Sequence, residues 1–305
     1  MKNCPSRTTV INKDVKLLKS GMGLYVMIID SHQHYWILDR GDYGWLTPAS
    51  DPILFQDYMP DLLKDELHHN GVQGTIVVQA APTMEETSFL LDLCDKEETL
   101  IGVVGWLDIN ASDFEKHYLR FRSHPRFVGI RPNFPDLADG EWRHHKQLIH
   151  NLSILAEDNC AVEFLVRPPA LAGMAKLLEY VPNLAAVVDH LGKPDLSGKN
   201  YQLWSDGMRS IAKFQHTSCK VSGMMTEGSF RGKKPAQVIQ PYIQHVITEF
   251  GSSRLMFGSD WPICLQAGSY KEMMSMIEEA LSISLSADEI RHIFGYNAAR
   301  IYDLQ

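Results

Sequence analysis

Cysteines in a bonding pattern are missing. The five present, Cys4, Cys94, Cys160, Cys219 and Cys264, are odd in number, widely spread and nowhere spaced as Cys-x-x-Cys. This excludes a disulfide framework and a zinc ribbon, and it fits a reducing cytoplasm. Cys94, Cys160 and Cys219 sit in apolar stretches, where thiols are usually core residues. Long hydrophobic runs are absent too, and none approaches the ~20 residues that span a bilayer. The first 25 residues have some Lys and Arg but no apolar h-region, so they read as a polar, flexible leader and not as a signal peptide. Positive charge is in short supply. With 29 Lys and Arg against 37 Asp and Glu, the formal charge is −8, which argues against nucleic acid and anionic membranes as partners. The basic cluster Arg231-Gly232-Lys233-Lys234 is short and reads as a solvated loop. Several catalytic signatures are also missing: no G-x-G-x-x-G turn, no G-x-S-x-G elbow, no H-E-x-x-H helix and no Walker loop.

What is present is an ordinary globular composition, 45% apolar and 10% aromatic, arranged in a regular alternation. Apolar, strand-like runs occur at 25–31, 74–80, 100–106, 127–131, 161–167, 184–190, 218–223 and 254–260. Helix-like stretches follow most of them, including 60–70, 84–96, 142–158 and 201–214, and two more, 270–281 and 287–303, close the chain. Eight strands alternating with helices over this length predict an α/β fold, a single-domain (β/α)8 barrel over 26–305.

In such a barrel the active site lies at the C-terminal ends of the strands. The polar residues at those ends are His32 and His34, Gln79, Trp106, Arg131 with Asn133, Arg167, His190, and Asp260 followed by Trp261. His32 and His34 are two residues apart on a strand, so they face the same way, about 7 Å apart along the chain. Such a pair alone is half of a metal site, half of an acid–base site, or two hydrogen-bonding rings at a turn. Three histidines and a carboxylate around one mouth either hold a divalent ion or activate a water without one. The other ten histidines fall in predicted helices or turns and are expected at the surface or in caps.

The motifs His32-x-His34, Val188-Asp189-His190-Leu191-Gly192-Lys193-Pro194 and Gly258-Ser259-Asp260-Trp261-Pro262 resemble those of the amidohydrolase superfamily. With Val78-Gln79-Ala80-Ala81-Pro82-Thr83, Glu86-Thr87 and Gly129-Ile130-Arg131, the resemblance is to its amidohydrolase-2 branch, which holds sugar-lactone hydrolases of the L-fuconolactonase and L-rhamnonolactonase type. One departure stands out. Two-metal members add a Lys or Glu from strand four and a His from strand five, where this chain has Arg131, Glu163 and Arg167. A guanidinium does not serve as an ordinary metal ligand, so a binuclear site is not expected.

The resemblance implies either one divalent ion, zinc foremost, on His32, His34, His190 and Asp260, or a metal-independent site. It further implies a cytoplasmic hydrolase of small sugar-acid lactones. In this reading Asp260 draws a proton from water, the histidines stabilise the oxyanion, and Arg131, Arg167, Gln79 and Lys193 bind substrate. Trp36 and Trp261 stack on the sugar. Two alternatives stay open: a lactonase or decarboxylase of aromatic-derived dicarboxylates, held by Arg131 and Arg167, and a non-catalytic barrel that binds a sugar acid. A homo-oligomer is left open.

Overall fold

Each expected strand is present, and all eight pair in parallel in chain order. The computed structural model describes residues 27–228, 230 and 232–304, so the 1–25 leader and Arg231 lie outside the described residues. The strands are β1 Ile28–Gln33, β2 Val72–Val78, β3 Leu100–Gly105, β4 Phe127–Ile130, β5 Ala161–Phe164, β6 Ala186–Val188, β7 Thr217–Val221 and β8 Leu255–Phe257. The sheet curls until β1 meets the chain beyond β8. There the Asp260 N–H donates to the His32 carbonyl (2.8 Å), the His34 N–H donates to the Trp261 carbonyl (2.7 Å), and Gln33 and Trp261 form a parallel bridge. The result is a (β/α)8 barrel, nearly closed by regular pairing.

Helices α1 Pro60–His69, α2 Met84–Cys94, α3 Phe114–Arg122, α4 Lys146–Glu157, α5 Pro168–Tyr180, α6 Tyr201–Ala212, α7 Pro235–Phe250 and α8 Tyr270–Ser282 follow the strands in order. Their starts are written in local chemistry. Proline opens α1, α5 and α7, where its missing N–H costs nothing. Thr83 caps α2 by accepting from the Glu86 N–H, and a Ser269/Glu272 capping box opens α8. None of the helices among the described residues is long and apolar enough to cross a membrane.

Two apolar layers result. The larger lies between strands and helices and takes in Cys94, Cys160 and Cys219. The smaller fills the barrel, with Ile29, Ile76, Val78, Val104, Ala161, Val187 and Met256 stoppered from below by Ala298 and Tyr302. The stopper explains one departure from expectation. The final helix is not continuous over 287–303 but passes through a π turn at His292–Tyr296. There the Gly295 backbone packs so tightly on Met27 that an added Cβ would lie 1.8 Å from its carbonyl oxygen. The helix expected at 142–158 likewise begins as a separate 3-10 turn, Glu141–His144, before α4.

The strands also end earlier than the apolar runs suggested: β5 at Phe164, β6 at Val188 and β8 at Phe257. Beyond each the backbone leaves the ladder, which frees the following side chains to turn into the mouth.

Candidate active site

Simple alternation from Ile29, which points into the barrel, would send His32 outward. The register prevents this. Between Asp30 and Gln33 the first strand advances three residues while its partner advances two, from Thr75 to Val77. A bulge of this kind re-aims the following side chains. His32 and His34 therefore both face inward, their Nε2 atoms 3.2 Å apart. The bulge is pinned by Asp30, fully buried, whose Oδ1 accepts from the N–H groups of His32 (3.1 Å) and Ser259 (2.8 Å), while Tyr270 donates to Oδ2. Burial pushes Asp30 up to about 6 against those hydrogen bonds.

His190 and Asp260 arrive by strained backbone. His190, Leu191, Gly192 and Lys193 all have left-handed φ, between 49° and 67°, and Asp260 has φ 58°. Left-handed geometry costs about 1–2 kcal/mol per non-glycine residue and is held only where packing over-determines it. Here the Trp204 indole N–H donates to the Leu191 carbonyl (2.6 Å) and the turn is buried. Gly223 leaves the room, since a Cβ on it would sit 2.6 Å from the His190 ring. Asp260 Oδ1 then lies 3.5 Å from His34 Nε2 and 3.8 Å from the Nε2 atoms of His32 and His190.

Beneath this group lies a charged layer. Lys220, on β7 and fully buried, donates to Glu163 (2.6 Å) and to His32 Nδ1 (3.1 Å), and lies 3.5 Å from Asp189. Tyr302 donates to the same Glu163 oxygen, and Arg131 reaches Asp189 at 3.4 Å. Burial and the neighbouring Asp189 raise the pKa of Glu163 against the pull of Lys220. Asp189 is held well below the carboxylate range by Lys220, His32 and Arg131, although burial opposes this. Asp260 is likewise held low by the surrounding imidazoles, against burial. Burial keeps all three histidines neutral: His32 and His34 are lowered, and His190 falls to about 4. At neutral pH the floor is one carboxylate facing three uncharged rings. Protonation of the histidines should therefore give the activity an acid limb near the His190 value of about 4 and no step near the ordinary imidazole value. An inflection near 6.5 in kcat/KM would contradict it, since an unperturbed histidine titrates there.

Above the floor opens a cavity of about 700 Å³. Of the expected residues His34, Gln79, Arg131, Arg167, His190, Lys193 and Asp260 line it, while His32 sits behind them, fully buried. Trp36 and Trp261 do not line it, which corrects their expected stacking role. Both are buried against Tyr58, at ring distances of 5.3 and 5.2 Å. The aromatic ring at the mouth is instead Trp45, 44% exposed, its indole N–H donated to the Ala80 carbonyl (2.8 Å). Sequence reasoning also passed over Lys220, Asp189 and Glu227. The other histidines fall outside the site; His117 and His124 pair with Asp113 and Asp95 at the surface.

Three of the donors, His32, His34 and Asp260, fit a single divalent ion, while His190 groups with His32 and Asp189. His32, His34 and Asp260 offer ligand atoms within 4.8 Å of one another, and the donor separations of 3.2–3.8 Å approach the ~3.4 Å edge of a tetrahedron with zinc–nitrogen bonds of ~2.05 Å. The outer nitrogens have partners of the kind that orient metal-ligating histidines. His34 Nδ1–H donates to the Val78 carbonyl (2.7 Å), and His190 Nδ1 meets the Ser222 hydroxyl (2.8 Å). Asp189 Oδ1, which makes no hydrogen bond, lies 3.5 Å from His32 Nδ1. Without an ion two donors compete for His32: the Lys220 ammonium faces Nδ1 (3.1 Å) and the Arg131 guanidinium faces Nε2 (3.3 Å), and a neutral imidazole accepts at only one of the two nitrogens.

A family model described as amidohydrolase matches residues 29–304. The chain is 33% identical over 278 residues to L-fucono-1,5-lactonase of Burkholderia ambifaria, covering 90% of this chain and 94% of that one. It is also 33% identical to L-fucono-1,5-lactonase of Burkholderia multivorans, covering 90% and 96%. Among solved structures, an amidohydrolase of Burkholderia multivorans with bound zinc superposes with a TM-score of 0.84 at 32% identity, covering 92% of this chain and all of that one.

Proposed function

The chain belongs to the amidohydrolase family, and from that premise we propose that it hydrolyses small neutral sugar-acid lactones of the L-fucono- and L-rhamnono-lactone type to the aldonic acid. The observation that carries the reading is the floor of the cavity, where one anionic carboxylate, Asp260, faces three neutral imidazoles. The curated relatives named for lactone hydrolysis support it.

Asp260 accepts a proton from water as the water oxygen attacks the lactone carbonyl. The developing oxyanion lies among the histidines and Arg131, whose guanidinium is held by the Gln79 carbonyl (2.5 Å) and Asp189. Protonated Asp260 then returns the proton to the departing ring oxygen as the acyl–oxygen bond breaks. Gln79 is fixed by its donation to the Arg131 carbonyl (2.9 Å) and is placed to read a hydroxyl. Trp45 offers a rigid ring to the C–H face of the sugar. A divalent ion on His32, His34, His190 and Asp260, zinc first by analogy with the zinc-bound neighbour, would supply Lewis-acid polarisation of the carbonyl.

The dicarboxylate alternative fares worse. It needs free cations at the rim, and Arg131, Arg167 and Lys193 are each already within 3.5 Å of a protein carboxylate. The test is hydrolysis of L-fucono-, L-rhamnono- and D-arabinono-lactones by the purified protein before and after chelation. At least one should be opened far above its spontaneous rate. Loss with chelator and recovery with one divalent ion assigns a metal; unchanged turnover assigns a metal-independent site. No turnover of any lactone in either state would sink the proposal.

A further inference from the structure

The rim cations share one counter-ion. Lys193 Nζ lies 2.5 Å from Glu227 Oε1, and Arg167 lies 3.5 Å from Oε2 of the same carboxylate. Glu227 comes from the turn after β7, and its side chain is 13% exposed. Glu227 does not itself line the cavity, whereas both of its partners do. We propose that Glu227 is a specificity-determining residue: an internal counter-anion that makes this site select neutral lactones over lactones bearing a carboxylate. The inference rests on the lactonase reading and names the charge class of its substrate.

Any substrate carboxylate competes with Glu227 for Lys193. Lys193 follows His190 by three residues in the same buried turn, so its ammonium is tied to the catalytic floor by rigid backbone. A substrate carboxylate that sought it would have to break a short, charge-assisted pair or lie against Glu227, and like charges so placed are repulsive. Arg167 offers no escape. Its side chain is 67% exposed, where water and salt screen most of its pull. Asp136, exposed and also lining the cavity, adds a further negative charge. A neutral sugar lactone needs only hydroxyl contacts and meets none of this opposition, so discrimination comes from a penalty on the wrong ligand.

The experiment compares the wild-type chain, E227Q and the double variant E227Q/K193M. Its probes are neutral L-fuconolactone, D-glucarolactone, which carries a carboxylate, and citrate as a non-reacting anion followed by titration calorimetry at low ionic strength. E227Q should raise the kcat/KM ratio of D-glucarolactone to L-fuconolactone about tenfold and tighten citrate by a similar factor, the scale of one charge-assisted hydrogen bond to a newly freed Lys193. Both effects should shrink in salt and vanish in the double variant. A merely structural Glu227 would depress both lactones alike and leave the ratio and the citrate affinity unmoved, and that result overturns the proposal. Wild-type enzyme that already takes both lactones equally would also overturn it. If no variant opens either lactone, the lactonase reading fails, while the citrate titrations still decide whether Glu227 screens the rim.

Discussion

Replacing Asp260 by asparagine is expected to lower kcat by about 10³-fold, within the ~10²–10⁴ range that a positioned general base supplies, while leaving the thermal unfolding midpoint close to wild type. The substitution is unusually clean here. Asp260 sits at φ 58°, a left-handed conformation that asparagine tolerates better than most residues, so the backbone has no reason to move. The amide keeps the volume and offers His34 and His190 an oxygen or an N–H, but it cannot take a proton from water. KM should change much less than kcat, because the contacts expected of Gln79, Arg131 and Trp45 are untouched. Steady-state kinetics beside a melting curve make the check. Turnover within about threefold of wild type would remove Asp260 from the chemistry.

The second large effect is structural. Lys220→Met should cost about 3–5 kcal/mol, as removing one member of a buried ionic group typically does, and lower the melting midpoint by roughly 5–8 °C in a chain of this size. The ammonium lies between Glu163 and Asp189 with no access to solvent, so its loss leaves two carboxylates facing each other. The pH dependence has a definite sign. The folded pKa of Glu163 is already raised above its ordinary 4.5, and losing Lys220 raises it further. The folded state then holds a proton that the unfolded state has released, so stability falls as pH rises through the interval between the two values. The variant should be closer to wild type at pH 5 to 6 than at pH 8. Adding Glu163→Gln should recover part of the loss. Unfolding curves at the two pH values are the measurement, and a midpoint shift under ~2 °C at both would show that the cluster is not tightly coupled.

These two expectations differ in how far the sequence foretold them. The convergence of His32, His34, His190 and Asp260 was legible because barrel topology converts strand ends into neighbours, and the structure does bring these four side chains together. Lys220 was not legible. Within Ser218-Cys219-Lys220-Val221 it looks like any polar residue of a half-buried strand, and only curling of the sheet sets it against Glu163 and Asp189, 57 and 31 residues earlier in the chain. The bulge at Asp30–Gln33 was hidden for a related reason. Alternation correctly put His32 and His34 on one face, but whether that face looked inward depended on a register shift against β2. Trp36 is buried and Trp45 lines the mouth, a distinction hidden in the sequence because both lie on a long loop without periodicity, where nothing local separates a packed indole from an exposed one. The signal that would have helped is Glu86. It is buried on α2, accepts from the Ala80 N–H and Tyr43, and so holds in place the segment to which Trp45 is pinned.

In the proposed reaction water, directed by Asp260, attacks the carbonyl carbon of a lactone. Enzymatic hydrolysis of L-fuconolactone in isotopically labelled water tests this most directly. The label should enter the carboxylate of the product, one oxygen per turnover, at a rate that collapses in D260N. Label in the released hydroxyl, or product formation that D260N leaves unchanged, would contradict the account.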